Sequence, residues 1–318
     1  MVEAAAACSP SSLLVTRMAR WTVVATFGLI LAGGLVTSRD AGLAVPDWPL
    51  SFGTVNPPRW LQIVNVRTEH GHRLIAGIVA LLTITLAWTT RRQRERLSVR
   101  RVASAAAALV LFQALLGGLR VLHLSVDLAM VHALTAQVFL CTVVALATIT
   151  SPSWRDAAKT TPRAGERRDA TAIFVLVLAQ LLLGIVIRHL GAAARPLLGH
   201  GMFHAHVTLA LAILWLAHRT QSIERTSGRS AAAERAAQIF KLVLLQIGLG
   251  VASFLVTESM AYDRQATALE SWLPSLHVLV GACILGAAAR SLLYATVHPL
   301  PAQRDMRIGV THVEESAR

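Results

Sequence analysis

Four histidines occupy equivalent places in this sequence, each just inside the start of a long apolar stretch. The stretches that carry them are the second, fourth, sixth and eighth of eight, and the histidines are His72, His132, His204 and His277. A polar side chain in a lipid-spanning helix is costly and normally faces a partner inside the bundle. Imidazole nitrogen binds haem iron, and two imidazoles from facing helices fill both axial positions. The four histidines therefore predict two pairs of haem ligands.

The composition is typical of a membrane protein. The chain has 318 residues, of which 54% are hydrophobic and 15% are charged, whereas about 25% of the residues in a soluble domain are charged. Its mean hydropathy is +0.56. Eight windows reach the roughly 17–25 apolar residues that cross a bilayer as a helix, and we place them at 18–38, 71–90, 102–122, 128–149, 170–189, 202–218, 237–257 and 273–295. The sequence thus predicts an all-α polytopic membrane protein.

The net charge of +13 is distributed loop by loop, which argues against nucleic acid as a partner. Six arginines lie in Arg91–Arg101, and more basic residues lie in Ser151–Asp169 and in the loop after the sixth stretch. The odd-numbered loops are poor in basic residues. Because basic loops stay on the cytoplasmic side, we expect a cell (inner) membrane protein with both termini cytoplasmic. All four histidines then lie toward the outer side.

An internal repeat predicts two halves. Residues 33–46 and 183–196 align without a gap and share a glycine, a valine and a proline at a constant offset of 150. The third and seventh stretches share a Gln-x-x-x-Gly motif, which begins at Gln113 and at Gln246. We therefore predict two pseudo-symmetric four-helix bundles. The expected organisation is an N-terminal half at 1–150, a basic linker at 151–169, a C-terminal half at 170–295 and a tail at 296–318.

The repeat pairs His72 with His132 in the first half and His204 with His277 in the second. The sixth stretch leaves an alternative open, because His204 and His206 are two residues apart and face different sides of a helix. An alignment of the residues around the four histidines favours His204, with His206 as the second choice. His200 could share a face with His204, and a cluster of His200, His204 and His206 could instead bind copper or zinc.

Glu69 precedes His72 by three residues, so both side chains point to roughly the same side of a helix. A carboxylate beside a haem ligand can accept protons or stabilise developing positive charge. The alternative is an interfacial glutamate that pairs with Arg73 or Arg67. Arg73 itself could reach the membrane surface or neutralise a haem propionate.

The loop Arg39–Thr68 is the longest on its side of the membrane. It contains Pro46-Asp47-Trp48-Pro49, a run that cannot lie in the interior of a regular helix. We expect this loop to cover the first histidine pair. The second half shows only a short loop and no comparable acid before its sixth-stretch histidine.

The segments GGLVTSRDAGLAVPDWP (33–49) and EHGHR (69–73), together with the Gln-x-x-x-Gly helices and the placed histidines, resemble the haem A synthase family. The resemblance extends over roughly 20–295. The most specific part of this resemblance is the loop motif at 33–49 followed by Glu-x-x-His-Arg at 69–73. It implies two four-helix halves, each with a pair of haem-ligating histidines.

The resemblance also implies a function for each half. His72 and His132 would serve the half in which haem O is oxidised, and His204 and His277 would hold a haem b cofactor that relays electrons. Glu69 matches the catalytically important glutamate of the family. The implied enzyme is an oxidoreductase that converts a methyl group of haem O to a formyl group, with water as the oxygen source, and makes haem A for terminal oxidases.

The implied partners are the membrane enzyme that makes haem O, an electron acceptor and the lipid bilayer, and a homo-oligomer is left open. Some members of the family carry a cysteine pair in the first outward loop, but this chain has none between Arg39 and Thr68. The electron acceptor is therefore open.

Two other functions stay open at the level of sequence. A di-haem b electron-transfer protein would bind two haems and modify neither, but Glu69 and the covering loop favour an enzyme. A metal or haem transporter would use the histidines as transient sites. It should have helices broken at the membrane midplane, whereas the eight stretches are continuous.

Overall fold

The computed structural model describes residues 11–157, 163–190, 199–258 and 265–296, and these residues form an almost entirely helical protein. Eight of the helices are long and apolar enough to cross a membrane, which confirms the predicted polytopic all-α fold. The helices are α1 (Leu13–Ser38), α2 (Val64–Arg92), α3 (Leu97–His123), α4 (Val126–Ile149), the short α5 (Pro152–Ala157), α6 (Glu166–Leu190), α7 (Gly199–Thr226), α8 (Ser230–Glu258) and α9 (Ala268–Thr296).

Each predicted apolar window lies inside one of these helices, but most of the helices extend further at one or both ends. The helix α7, for example, continues eight residues beyond the window at 202–218 and ends at Thr226. Hydropathy registers only the part of a helix that suits lipid, whereas hydrogen bonding continues through polar turns. The same effect places Glu69 inside α2, which begins at Val64.

The helices pack as two rings of four. In the first ring α1 packs on α2, α2 on α3, α3 on α4, and α4 returns to α1; helices α6 to α9 are arranged in the same cyclic order. The helix α9 also packs against α1 and α4, so it joins the two rings. At this contact Gly286 lies close to Phe27 and Val144, where small residues let transmembrane helices approach.

A tight turn sets the register of α3 against α4. Leu124 has a left-handed backbone with φ of 51°, and the Ser125 side chain caps α4 by accepting a hydrogen bond from Leu128 N at 3.2 Å. Because the turn is so short, residues equally distant from it on the two helices face each other. Gly117 and His132 are such a pair.

The end of the second ring farthest from the histidines is held by buried ion pairs. Arg163 contacts Asp169 at 2.8 Å and Glu224 at 2.9 Å, while Arg229 contacts Glu166 at 2.8 Å and Glu224 at 3.3 Å. All three acids are buried. The cluster ties the start of α6 to the end of α7 and to the connection that follows it.

We expect Glu224→Ala to destabilise the protein by about 3 kcal/mol, the low end for breaking a buried ion pair, because two arginines lose a common partner. The melting midpoint of the purified chain in detergent should fall by roughly 5–10 °C. The matched control is Glu234→Ala, which removes an exposed acid from α8. Equal melting midpoints for the two variants would contradict a stabilising role for the cluster.

Candidate functional site

Four histidines pack edge-on against glycines of neighbouring helices. A Cβ atom added to each glycine would lie within 3.1–3.4 Å of the histidine Cε1 atom. The pairs are Gly33 with His72 at 3.2 Å, Gly117 with His132 at 3.4 Å, Gly184 with His206 at 3.4 Å and Gly250 with His277 at 3.1 Å. Each pair joins an even-numbered transmembrane helix to the one before it, so the contact recurs twice in each half.

The contact fixes which ring nitrogen is available. In all four rings Nδ1 is buried without a hydrogen-bond partner among the described residues, whereas each side chain as a whole is only half-buried. The Cε1 edge faces the glycine, so Nε2 is the nitrogen that can bind a metal. Glycine cradles of this kind, with Nδ1 atoms that have no partner among the described residues, fit a pair of axial haem ligands in each half.

The second-half pair has the separation that bis-imidazole ligation needs. The ring centroids of His206 and His277 are 6.3 Å apart, with an interplanar angle of 48°. A metal–imidazole bond is about 2 Å long, so two opposed ligands place their ring centroids roughly 6 Å apart. Gln246 Nε2 lies 3.1 Å from His277 Nε2.

The structure places His206 beside His277 and does not place His204 there. His204 is exposed, and its described ring contact is with Phe203 at 6.1 Å. Successive helical positions are rotated by about 100°, so histidines two apart face nearly opposite sides of α7. The side chain of His200 lies outside the described residues. Among those described, no three His, Cys, Asp or Glu side chains are grouped as a metal site.

A signal for His206 is present in the sequence. The motif His70-x-His72 of α2 has a counterpart in His204-x-His206 of α7, and aligning the two motifs matches His206 with His72. A third Gln-x-x-x-Gly motif, which begins at Gln180, ends at the glycine that contacts His206.

In the first half, helix α1 lacks the glutamine that precedes the histidine-contacting glycine in the other three helices. Helices α3, α6 and α8 each carry a glutamine four residues before the glycine, but α1 carries Leu29 four residues before Gly33. Gln113 is engaged with the backbone carbonyl of His132 at 3.2 Å and with the Thr135 hydroxyl.

Glu69 is buried and binds both its own helix and the first loop. Its Oε1 atom accepts a hydrogen bond from Arg73 Nη2 at 2.6 Å, and its Oε2 atom accepts one from the backbone N–H of Val45 at 2.8 Å. The sequence left open whether Glu69 pairs with Arg73 or Arg67, and the structure pairs it with Arg73. The carboxylate stands one helical turn before His72.

Arg73 clamps the loop. Besides Glu69, its guanidinium donates to the backbone carbonyls of Val45 at 3.0 Å, Asp47 at 2.6 Å and Leu50 at 2.9 Å. Three carbonyls from one short stretch thus converge on one cation, which explains how an irregular segment keeps a defined place over the helix end.

A turn at the tip of the loop is organised by Asp47. Phe52 and Gly53 both have positive φ, and the backbones of Ser51 and Thr54 pair across them. The Asp47 carboxylate accepts hydrogen bonds from the N–H groups of Gly53 and Phe52, each at 2.7 Å. The bond from Gly53 is the main reason that the pKa of Asp47 lies below its usual range, although partial desolvation opposes it.

Two further contacts of the loop were not predicted from the sequence. His70 Nδ1 lies 2.8 Å from the hydroxyl of Ser51. The rings of His70 and Trp60 pack edge to face, with their centroids 4.8 Å apart. His70 is therefore directed at the loop, whereas His72, two residues later, faces Gly33. This opposite orientation was expected from the helical period.

The loop also reaches α3. The indole of Trp48 lies so close to Gly118 that an added Cβ would be 2.5–2.8 Å from it. The Arg120 guanidinium likewise lies directly against Gly42. Since Gly117 contacts His132, these contacts bring the loop down to the level of the first histidine pair.

We expect Arg73→Gln to loosen this loop. If the loss of the Arg73 hydrogen bonds costs about 1.4 kcal/mol, the fraction of molecules in which the loop is open rises roughly tenfold. Trypsin cleavage after the exposed Arg59 should accelerate by a similar factor in the purified protein. The control is Arg67→Gln, whose contact with the loop is a single bond to Leu61 O at 3.3 Å. Equal cleavage rates for the two variants would contradict the clamp.

Comparison with known proteins finds relatives for the first half of the chain. Residues 6–144 match the family model described as cytochrome oxidase assembly protein. The heme A synthase of Exiguobacterium sibiricum is 29% identical over 168 residues, which are 52% of this chain and 56% of that protein. The heme A synthases of Shouchella clausii and Methylobacterium sp. are 36% identical over 119 residues and 37% identical over 139 residues, and the alignments cover 35% and 40% of this chain and 38% of each relative.

The chain thus spans about half the length, or less, of these relatives. The two motifs on which the resemblance was based, at 33–49 and 69–73, both lie inside the matched region. Over this region the resemblance predicted from the sequence is confirmed.

Proposed function

We propose that this protein is a haem A synthase, a membrane oxidoreductase that converts one methyl group of haem O to a formyl group. The observation that carries the proposal is the place of Glu69, which is buried one helical turn before His72 and beneath a clamped loop. A protein that only transferred electrons between two haems would not require an acid and a cover at one pair.

The reaction that this assignment requires is a four-electron oxidation. The methyl group and one water molecule yield the formyl group, four protons and four electrons. Haem O is the substrate at His72 and His132. A resident haem b at the second pair would supply one-electron redox chemistry, relaying the electrons to an acceptor outside the protein. We propose His206 and His277 as its ligands, in place of the His204 and His277 pair expected from the sequence.

Glu69 is suited to take up protons at the first pair. Its carboxylate is held by Arg73 on one oxygen and by Val45 N–H on the other, so it has a fixed position near the ligand His72. A fixed carboxylate can accept a proton from water as the water oxygen is transferred to the substrate. The loop that it binds limits the access of bulk water to the same place.

The location and partners follow from the same proposal. The positive-inside pattern supports cytoplasmic termini and haem sites toward the outer side of the membrane. Haem O would arrive from the membrane enzyme that makes it. The loop Arg39–Thr68 contains no cysteine, so electrons leave this chain without a disulfide in that loop.

We expect Glu69→Gln to lower conversion of haem O by at least about 100-fold, the usual minimum for loss of a general base, while haem stays bound. The glutamine amide can still accept the hydrogen bond from Val45. The measurement is chromatography of haems extracted from cells that make the variant together with a source of haem O. In the same cells the unmodified chain should yield haem A.

The matched control for this experiment is Asp127→Asn, which neutralises an exposed acid at the same end of the first half. It should leave haem A formation unchanged. Normal haem A in the Glu69→Gln cells would remove Glu69 from the chemistry. If the unmodified chain binds haem and yields no haem A, the enzyme assignment itself fails.

A second prediction separates the two candidate ligands of α7. His206→Ala should remove about half of the low-spin haem absorbance, because one of two bis-histidine sites loses a ligand. His204→Ala should leave the spectrum intact, since that side chain is exposed and lies away from His277. His277→Ala serves as the positive control. The reverse result, with loss in His204→Ala alone, would restore the ligand expected from the sequence.

A further inference from the structure

A small polar cluster lies where the two halves meet. We call it the junction, and it consists of Gly34 and Ser38 on α1, Arg188 on α6 and Ser275 on α9. Arg188 Nη2 donates to Gly34 O at 2.9 Å and to Ser38 Oγ at 2.7 Å. The hydroxyl groups of Ser38 and Ser275 are 3.0 Å apart. Ser275 is fully buried and donates to its own helix at Ser271 O, 2.6 Å away.

The junction lies between the two histidine pairs and touches the neighbours of both. On the first side, Gly33 contacts the His72 ring, and the next residue, Gly34, packs against Ser275 with a Cβ position 3.2 Å from the Ser275 Cβ. Ser275 in turn is two residues before His277.

Arg188 is connected to the second pair through its own helix. It lies four residues after Gly184, one helical turn from the contact with His206. Its position in α6 is thus one turn from that contact, and its guanidinium is hydrogen-bonded to the residue that follows the first pair's cradle. Few other side chains could be near both pairs, because α1, α6 and α9 meet here.

The charge of Arg188 is not cancelled locally. Among the described residues its hydrogen bonds go to a carbonyl and a hydroxyl, and none goes to a carboxylate. The arginines at the opposite end of the second half contrast with it, since Arg163 and Arg229 each contact two acids. Placing a cation inside a transmembrane bundle costs free energy, and such residues normally mark functional sites. The electric field of the cation is weakly screened in the low-dielectric interior.

We propose that Arg188 is a shared electrostatic positioning residue, which raises the reduction potentials of the haems at both histidine pairs. This inference rests on the proposed binding of haem at the two pairs. Reduction adds one negative charge to a haem, and a fixed positive charge nearby stabilises the reduced form. Acting on both sites together, Arg188 raises both potentials and preserves their order.

The test is an optical redox titration of the full chain purified with haem at both pairs. In Arg188→Gln both midpoint potentials should fall, and in Arg188→Lys both should stay near those of the unmodified protein. Arg188→Met, which keeps an unbranched chain in apolar surroundings, is the second uncharged variant and should lower both potentials as well. Ser38→Ala removes a hydrogen bond but leaves the charge, so its potentials should be unchanged.

The matched control is Arg168→Gln, which removes a 74% exposed arginine from the far end of the same helix and should shift neither potential. A fall at only one pair, or at neither, in the uncharged variants would overturn the shared role. If both midpoint potentials fell equally in Arg168→Gln, the shift would follow from the net charge of the protein, and the proposal for Arg188 would be wrong. The titration reads bound haem rather than haem A, so a chain that fails to convert haem O can still pass this test.

Discussion

The fit of an imidazole edge against a glycine is the contact on which the rest of this structure depends. It occurs four times, and at each one a Cβ atom would come within 3.1–3.4 Å of the ring. Glycine lets the ring lie against the backbone of the neighbouring helix, which buries Nδ1 and leaves Nε2 directed away. In a membrane, where water cannot compensate misplaced polar groups, this contact fixes both the helix spacing and the orientation of the imidazole.

The two halves share this contact and differ in what surrounds it. In the first half a loop is fastened over the histidines by Arg73, and the acid that helps to fasten it, Glu69, is the one next to His72. The same pair of charged side chains therefore fastens the loop and stands next to His72. Four residues before its contacting glycine, helix α1 of the first half also has Leu29, whereas the three other helices have glutamine at this position. The repeated contact gives both halves the same scaffold, and the residues around it differ.

Charge is used differently at the two ends of the bundle. At the basic end, arginines and buried acids neutralise each other and join helix termini. At the histidine end, Arg73 and Arg188 donate mainly to carbonyl and hydroxyl oxygens, so part of their field remains. Uncompensated charge in a low-dielectric interior acts strongly on any charged or redox-active group nearby.

The sequence by itself determined the eight helices, their pairing into halves and the proximity of Glu69 to His72, because apolar length and helical period are local properties. It also predicted that a loop would cover one pair. Only the tertiary structure placed His206, and not His204, beside His277, since the two face opposite sides of α7 and the placement depends on where Gly184 of another helix lies. The clamp by Arg73 and the junction at Arg188 were likewise beyond the sequence, because both join residues distant in the chain, whose meeting depends on how the helices rotate and pack.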